Sequence, residues 1–172
     1  MATESIFLAH NSLRPTTAAP VKQPTGTAVR TMLQLATTTL EGLYIVEWGI
    51  SFDGSAAAAP IQVELFGCTG AATMSTALAA VDVQNVANPG GAAVNALQFG
   101  AALSGFATAA VTEGTVANYR AFDIQQVAPT SQYVKQYPLG REPAALLSTF
   151  VRVRVTAAAT VNAYTYIIFG QN

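Results

Sequence analysis

A chain of 172 residues, 51% hydrophobic and only 10% charged, is long enough to bury a core in one domain without staples, yet falls well short of the roughly 25% charge of an average soluble domain. The formal net charge of −1 leaves no basic surplus for holding nucleic acid, and a single cysteine, Cys68, excludes an intrachain disulfide and a thiolate metal site. No apolar run approaches the length of a membrane-spanning helix and no leader pattern opens the chain, so it is expected to be made in the cytoplasm, to stay soluble and to have no membrane partner.

Residues 1–29 read as an extended arm, because Pro15, Pro20 and Pro24 interrupt them and no hydrophobic period persists. Ile6, Phe7 and Leu8 form its one apolar patch, expected to lie against a surface pre-formed by neighbouring subunits or a larger lattice rather than in the chain's own core. His10, the only histidine, has no second ligand or base partner nearby and reads as a polar loop residue. The compact domain is then residues 30–172.

Strand signals begin with residues 31–37. In residues 43–52 the alternation places Tyr44, Val46, Trp48, Ile50 and Phe52 on a core face, with Glu47, Gly49 and Ser51 on the other. Trp48 reads as a core pillar. After the turn at Asp53-Gly54-Ser55, Pro60 suits the start of a strand in which Ile61, Val63 and Leu65 alternate with Gln62, Glu64 and Phe66. That strand is expected to pair antiparallel with the preceding one.

Residues 69–105 are rich in Ala, Gly and Asn, with a weak edge at Val81, Val83 and Val86 and a break at Asn88-Pro89-Gly90-Gly91; residues 74–80 have a two-turn helix as their alternative. Short strands follow at 106–111, 119–127 and 132–137, the second with Phe122 and Ile124 opposite Asp123 and Gln125.

Residues 149–169 read as the hairpin that organises the chain. Val151, Val153 and Val155 face the core, while Arg152 and Arg154 share a solvated or salt-bridged face. The last strand carries bulky groups on both faces, so Tyr164, Tyr166 and Ile168 need a partner surface. These elements predict an all-β fold, an antiparallel, jelly-roll-like β-sandwich with an N-terminal arm.

Chemistry-bearing motifs are missing from this pattern. No glycine-rich phosphate loop leads from strand to helix, and a hydrolase triad would have to use His10. Glu47 and Glu64 are the one conceivable glycosidase pair, but both read as solvated face residues. Asp53 and Asp82 have no calcium-loop context. No catalytic, cofactor-binding or metal residue is therefore assigned; the chain is expected to be neither an enzyme nor a cofactor carrier.

The segments Trp48-Gly49-Ile50-Ser51-Phe52-Asp53-Gly54, Pro138-Leu139-Gly140-Arg141-Glu142 and Phe150-Val151-Arg152-Val153-Arg154-Val155-Thr156-Ala157, in this order, resemble small virion proteins of tailed bacteriophages. The resemblance implies a capsid decoration protein on the head surface of the virion, trimeric or otherwise oligomeric, whose partners are itself and a major capsid or other virion protein. Its contacts would be made by Ile6, Phe7, Leu8, Tyr164, Tyr166 and Ile168. The alternative is a jelly-roll module at a tail or fibre tip, on which exposed Tyr133, Tyr137 and Trp48 stack against host carbohydrate.

Overall fold

The computed structural model describes residues 5–88 and 93–171. The first four residues of the expected arm, and all of the expected 88–91 break beyond Asn88, lie outside the described residues. The strands are β1 (Ile6–His10), β2 (Gln23–Pro24), β3 (Val29–Thr37), β4 (Leu43–Phe52), β5 (Ile61–Cys68), β6 (Thr76–Ala77), β7 (Gln84–Asn85), β8 (Leu97–Gln98), β9 (Gly105–Phe106), β10 (Arg120–Val127), β11 (Gln132–Gln136), β12 (Ala144–Ala145), β13 (Phe150–Thr156) and β14 (Asn162–Gln171). One 3₁₀ turn, Ala80–Asp82, lies between β6 and β7 in place of any helix over residues 74–80.

Two antiparallel sheets face each other. The first runs β11-β4-β14-β1-β7, and the second β10-β5-β13-β3-β9-β6. Taken as eight principal strands, four per sheet, the chain crosses from sheet to sheet at every step except β5 to β10, which is the winding of a jelly roll. The core lies between the sheets: Val151, Val153, Val155, Ile61, Val63 and Leu65 from one side meet Trp48, Ile50, Phe52, Ile167 and Phe169 from the other.

Sheet membership corrects two expected pairings. β4 and β5 do not pair, and neither do β13 and β14; each duo is split between the sheets. Alternation fixes which residues face the core, but two strands that face each other across a core carry the same pattern as two that lie side by side.

Bulges correct the faces of two strands. In the β4–β14 register Glu47 opposes Ile168 and Ile45 opposes Phe169, so Val46 is the extra residue. Leu43 and Ile45 therefore join Trp48 in the core, and Tyr44 and Val46 turn outward, half-buried. In β10 the register skips Phe122. Asp123 is thereby turned inward, 7% exposed, while Ile124 is 50% exposed.

Residues 5–29 are not an arm detached from the fold. β1 pairs with β14 along its whole length, from Ile6↔Gly170 to His10↔Tyr166, and β2 pairs with the start of β14. Phe7 and Ala9 are buried in the core, with the Phe7 ring 5.8 Å from that of Phe169. Asn11 continues the ladder with its side chain, which donates to Ala163 O (3.1 Å) and accepts from Thr165 N (2.9 Å). Pro15 and Pro20 sit in the exposed loop between β1 and β2, where no ladder bond is needed.

The solvated face expected for Arg152 and Arg154 is also corrected. The chain between β5 and β10 folds back over the outer face of the second sheet, and Arg152, 0% exposed, lies beneath it. Its Nη2 donates to Thr31 Oγ1 (2.6 Å) and Glu113 O (3.1 Å), its Nη1 reaches Gly70 O (3.4 Å), and it is ion-paired with the Glu113 carboxylate. Thr31 Oγ1 in turn donates to Glu113 Oε2 (2.7 Å). Alongside, Gln34 donates to Ala72 O (3.1 Å) and Leu103 O (2.7 Å) and accepts from Ala72 N (2.8 Å). Arg154 pairs with Glu64 at 2.5 Å, and both guanidiniums lie over the Phe66 ring, at 5.4 and 4.7 Å.

Two substitutions test this account. Phe7→Ala is expected to cost about 3–5 kcal/mol, as for any large core ring, where a detached arm would cost nothing. Glu113→Ala strips a buried guanidinium of its carboxylate and is expected to cost about 3 kcal/mol, whereas Lys22→Ala, which breaks the exposed Lys22–Asp53 pair at 2.9 Å, leaves stability unchanged. Urea unfolding at neutral pH measures all three.

Candidate interaction surface

The two outer faces of the sandwich differ. Over β3 and β13 that of the second sheet is covered by the chain's own β5–β10 excursion, while that of the first carries half-buried apolar side chains. Register places them: Ile6 opposes Gly170, Leu8 opposes Ile168, Tyr164 opposes Ser51 and Tyr166 opposes Gly49. Since Phe7, Ala9, Ile167 and Phe169 point into the core, their neighbours Ile6, Leu8, Tyr166 and Ile168 point out. Five of the six expected interface residues thus share one face, and the sixth, Phe7, is removed from the set by its place in the core.

Two glycines shape this face. The Tyr166 ring lies across Gly49, where a Cβ would stand 2.6 Å from its Cε1, and its hydroxyl donates to Glu47 Oε1 at 2.6 Å. Tyr44 lies across Gly170 in the same way. Both rings are pressed flat against the sheet, so the surface is broad and low. Ser51, Gln132, Val134, Tyr164 and Tyr166 border a shallow groove of about 180 Å³ within it. Tyr44 reads from sequence as a core residue, because the Val46 bulge hides its true face, and Val134 becomes visible only once β11 is paired with β4.

Other candidate residues are taken up elsewhere. Glu47 lies on the outer face of the first sheet and Glu64 on that of the second, so the core separates them; Glu64 is buried against Arg154 and accepts from Gln62 Nε2 at 2.5 Å. Asp53 pairs with Lys22, whose ammonium draws its carboxyl below the usual range, and Asp82 accepts from Arg14 N and Ala79 N. The Cys68 thiol is buried and donates to Gly70 O at 3.1 Å. Among the described residues no group of three or more His, Cys, Asp or Glu is placed to hold a metal, and no helix is long and apolar enough to cross a membrane.

The aromatic platform imagined for a sugar is dismantled. Trp48 is fully buried and donates to Asp123 Oδ2 (3.2 Å), to which Tyr133 also donates (2.8 Å); Lys135 stands 3.5 Å from the other carboxylate oxygen. Burial and the Asp123 charge push the Tyr133 hydroxyl up to about 12. Tyr137 donates to Phe122 O at 3.3 Å. This cluster links the edge strand of one sheet to the edge strand of the other, and its three aromatic groups are structural.

His10, expected in a loop, is the last residue of β1 and is buried against Tyr164 at 5.6 Å between ring centroids; among the described residues its Nδ1 has no hydrogen-bond partner. Burial holds the imidazole below its ordinary value of 6.5, with the Asp82 charge opposing. Because the folded value is depressed, the unfolded chain takes up the proton first as pH falls. His10 thus opposes unfolding fully above about pH 6.5, and the contribution is lost as pH drops below it. Urea midpoints at pH 7.5 and 5.5 are expected to differ more in the native chain than in His10→Gln.

Comparison with known protein families, with curated proteins and with solved structures finds no match to this chain.

Proposed function

We propose that the protein is a non-enzymatic structural component of a phage virion, a decoration subunit that self-associates and binds the head surface through the outer face of its first sheet. The observation that carries the reading is the contrast between the two outer faces: the chain spends its long excursion covering one and leaves Ile6, Leu8, Tyr164, Tyr166 and Ile168 together on the other. Apolar and aromatic groups on a flat, charge-poor surface are what the centre of a protein–protein contact needs. The jelly-roll winding agrees with this, since viral coat domains use it, though fold alone does not assign a role.

A second reading, a carbohydrate-binding module, draws on the groove beside Tyr164 and Tyr166. It uses the same face but a different stoichiometry. Decoration subunits approach the number of capsomers in a particle, and receptor-binding subunits are few.

Quantifying the chain in purified particles decides between them: hundreds of copies support decoration, a handful supports the module, and absence overturns both. Ile168→Asp is expected to leave the melting temperature within a few degrees, because the side chain lies outside the core, while abolishing both oligomerisation and binding to particles stripped of the protein. Retained binding by this variant would take the contact off this face.

A further inference from the structure

A different part of the molecule carries a contact that neither sheet face explains. At the end of the sandwich where β3 passes to β4 and β12 to β13, three leucines stand in water: Leu40 at 86% exposure, Leu146 at 68% and Leu147 at 49%. They are not on slack loops. Thr38 Oγ1 accepts from Glu41 N (2.9 Å), Thr37 Oγ1 donates to Leu146 O (2.6 Å), and Ser148 N donates to Thr38 O (2.9 Å). Ser148 is held at φ +56°, a left-handed conformation unfavourable for a residue with a Cβ. The two turns are thus bolted together and hold their leucines outward.

Beside them is a cavity of about 260 Å³ walled by Cys68, Phe122, Ala144, Ala145 and Leu146, with Arg120 at its rim. Arg120 stacks on Phe122 at 5.3 Å and donates to Ala144 O, but among the described residues it has no carboxylate partner. Glu41, next to Leu40, has no cationic partner among them either. One end of the chain therefore carries an apolar knob followed by a free anion, and an apolar hole edged by a free cation.

We infer that this end binds a second copy of the chain, Leu40 of each copy entering the cavity of the other and Glu41 pairing with Arg120 across the contact. Knob and hole lie on the same end, so a two-fold axis satisfies both at once and the contact closes on itself. The charge pair fixes the register, while burial of the leucines supplies the attraction. This contact is separate from the sheet face proposed above, and together the two would let copies join in two directions.

Sedimentation equilibrium of the full chain tests it, carried out in the Ile168→Asp background so that the sheet face is silent. That chain is expected to dimerise. Leu40→Asp, Glu41→Arg and Arg120→Glu should each weaken dimerisation at least tenfold with unchanged urea midpoints, and the double variant Glu41→Arg with Arg120→Glu should restore it. A monomer at all concentrations, single variants without effect, or a double variant as weak as its parents would overturn the inference. So would loss of binding to neutral phosphatidylcholine vesicles in Leu40→Asp with dimerisation unchanged, which would make the leucines a lipid contact. If Ile168→Asp leaves the native oligomer intact, the sheet-face reading fails, while the charge reversal still reports on this end alone.

Discussion

A guanidinium sealed from water must find an anion and acceptors for its N–H groups, or it costs several kcal/mol. Arg152 finds them in three places that are remote in sequence: Thr31 on β3, Gly70 at the start of the excursion and Glu113 near its end. One side chain thus ties both ends of a long, glycine- and alanine-rich segment to the sheet beneath it. Gln34 adds one tie near its start, at Ala72, and one past its middle, at Leu103. With these ties parts of the segment lie over β3 and β13, whose share of the outer face becomes interior, while β6, β8 and β9 extend the second sheet itself.

That asymmetry governs what is left for contacts. A sandwich ordinarily presents two outer faces to water, each striped with polar groups. Here one is roofed by its own chain, and the polar groups under the roof, Arg152, Arg154, Glu64 and Gln34, are spent on internal pairing. The other keeps aliphatic side chains and two tyrosine rings, which lie over Gly49 and Gly170. Charge is therefore scarce on the outside partly because several of the few charged residues are used inside.

Much of the fold was legible in the sequence, and the failures share a cause. Alternation at Val151, Val153 and Val155 and at Ile61, Val63 and Leu65 identified the core faces, because a buried face stamps a period of two on its strand. It failed at Val46 and Phe122, where one inserted residue reverses the period without leaving a local mark. It could not tell that Arg152 lies under a roof, since the covering residues are some forty to eighty positions away. The prolines that follow β1 made residues 1–29 look like an arm, although Ile6 to His10 fill a slot in a sheet. Ile6 and Leu8 stood out as the apolar patch of a supposed arm, and Tyr164, Tyr166 and Ile168 as bulky groups on the second face of a strand; all five lie on the outer face of the first sheet, whereas the exposed leucines did not stand out, because a lone leucine in a turn carries no periodicity.

The pairing of β1 with β14 reaches beyond the static fold. Ile6 lies beside Gly170, so β14, the neighbour of the first strand, leaves the ribosome long after β1 has. Until it does, β1 has an unpaired edge, and Phe7 has no Phe169 against which to stack. Contacts of such long range make folding slow and delay it until β14 has been made. During that interval the apolar faces of the unfinished sheets are open to other nascent chains, and the same tyrosine- and isoleucine-bearing strand that completes the domain is the one that ends the exposure.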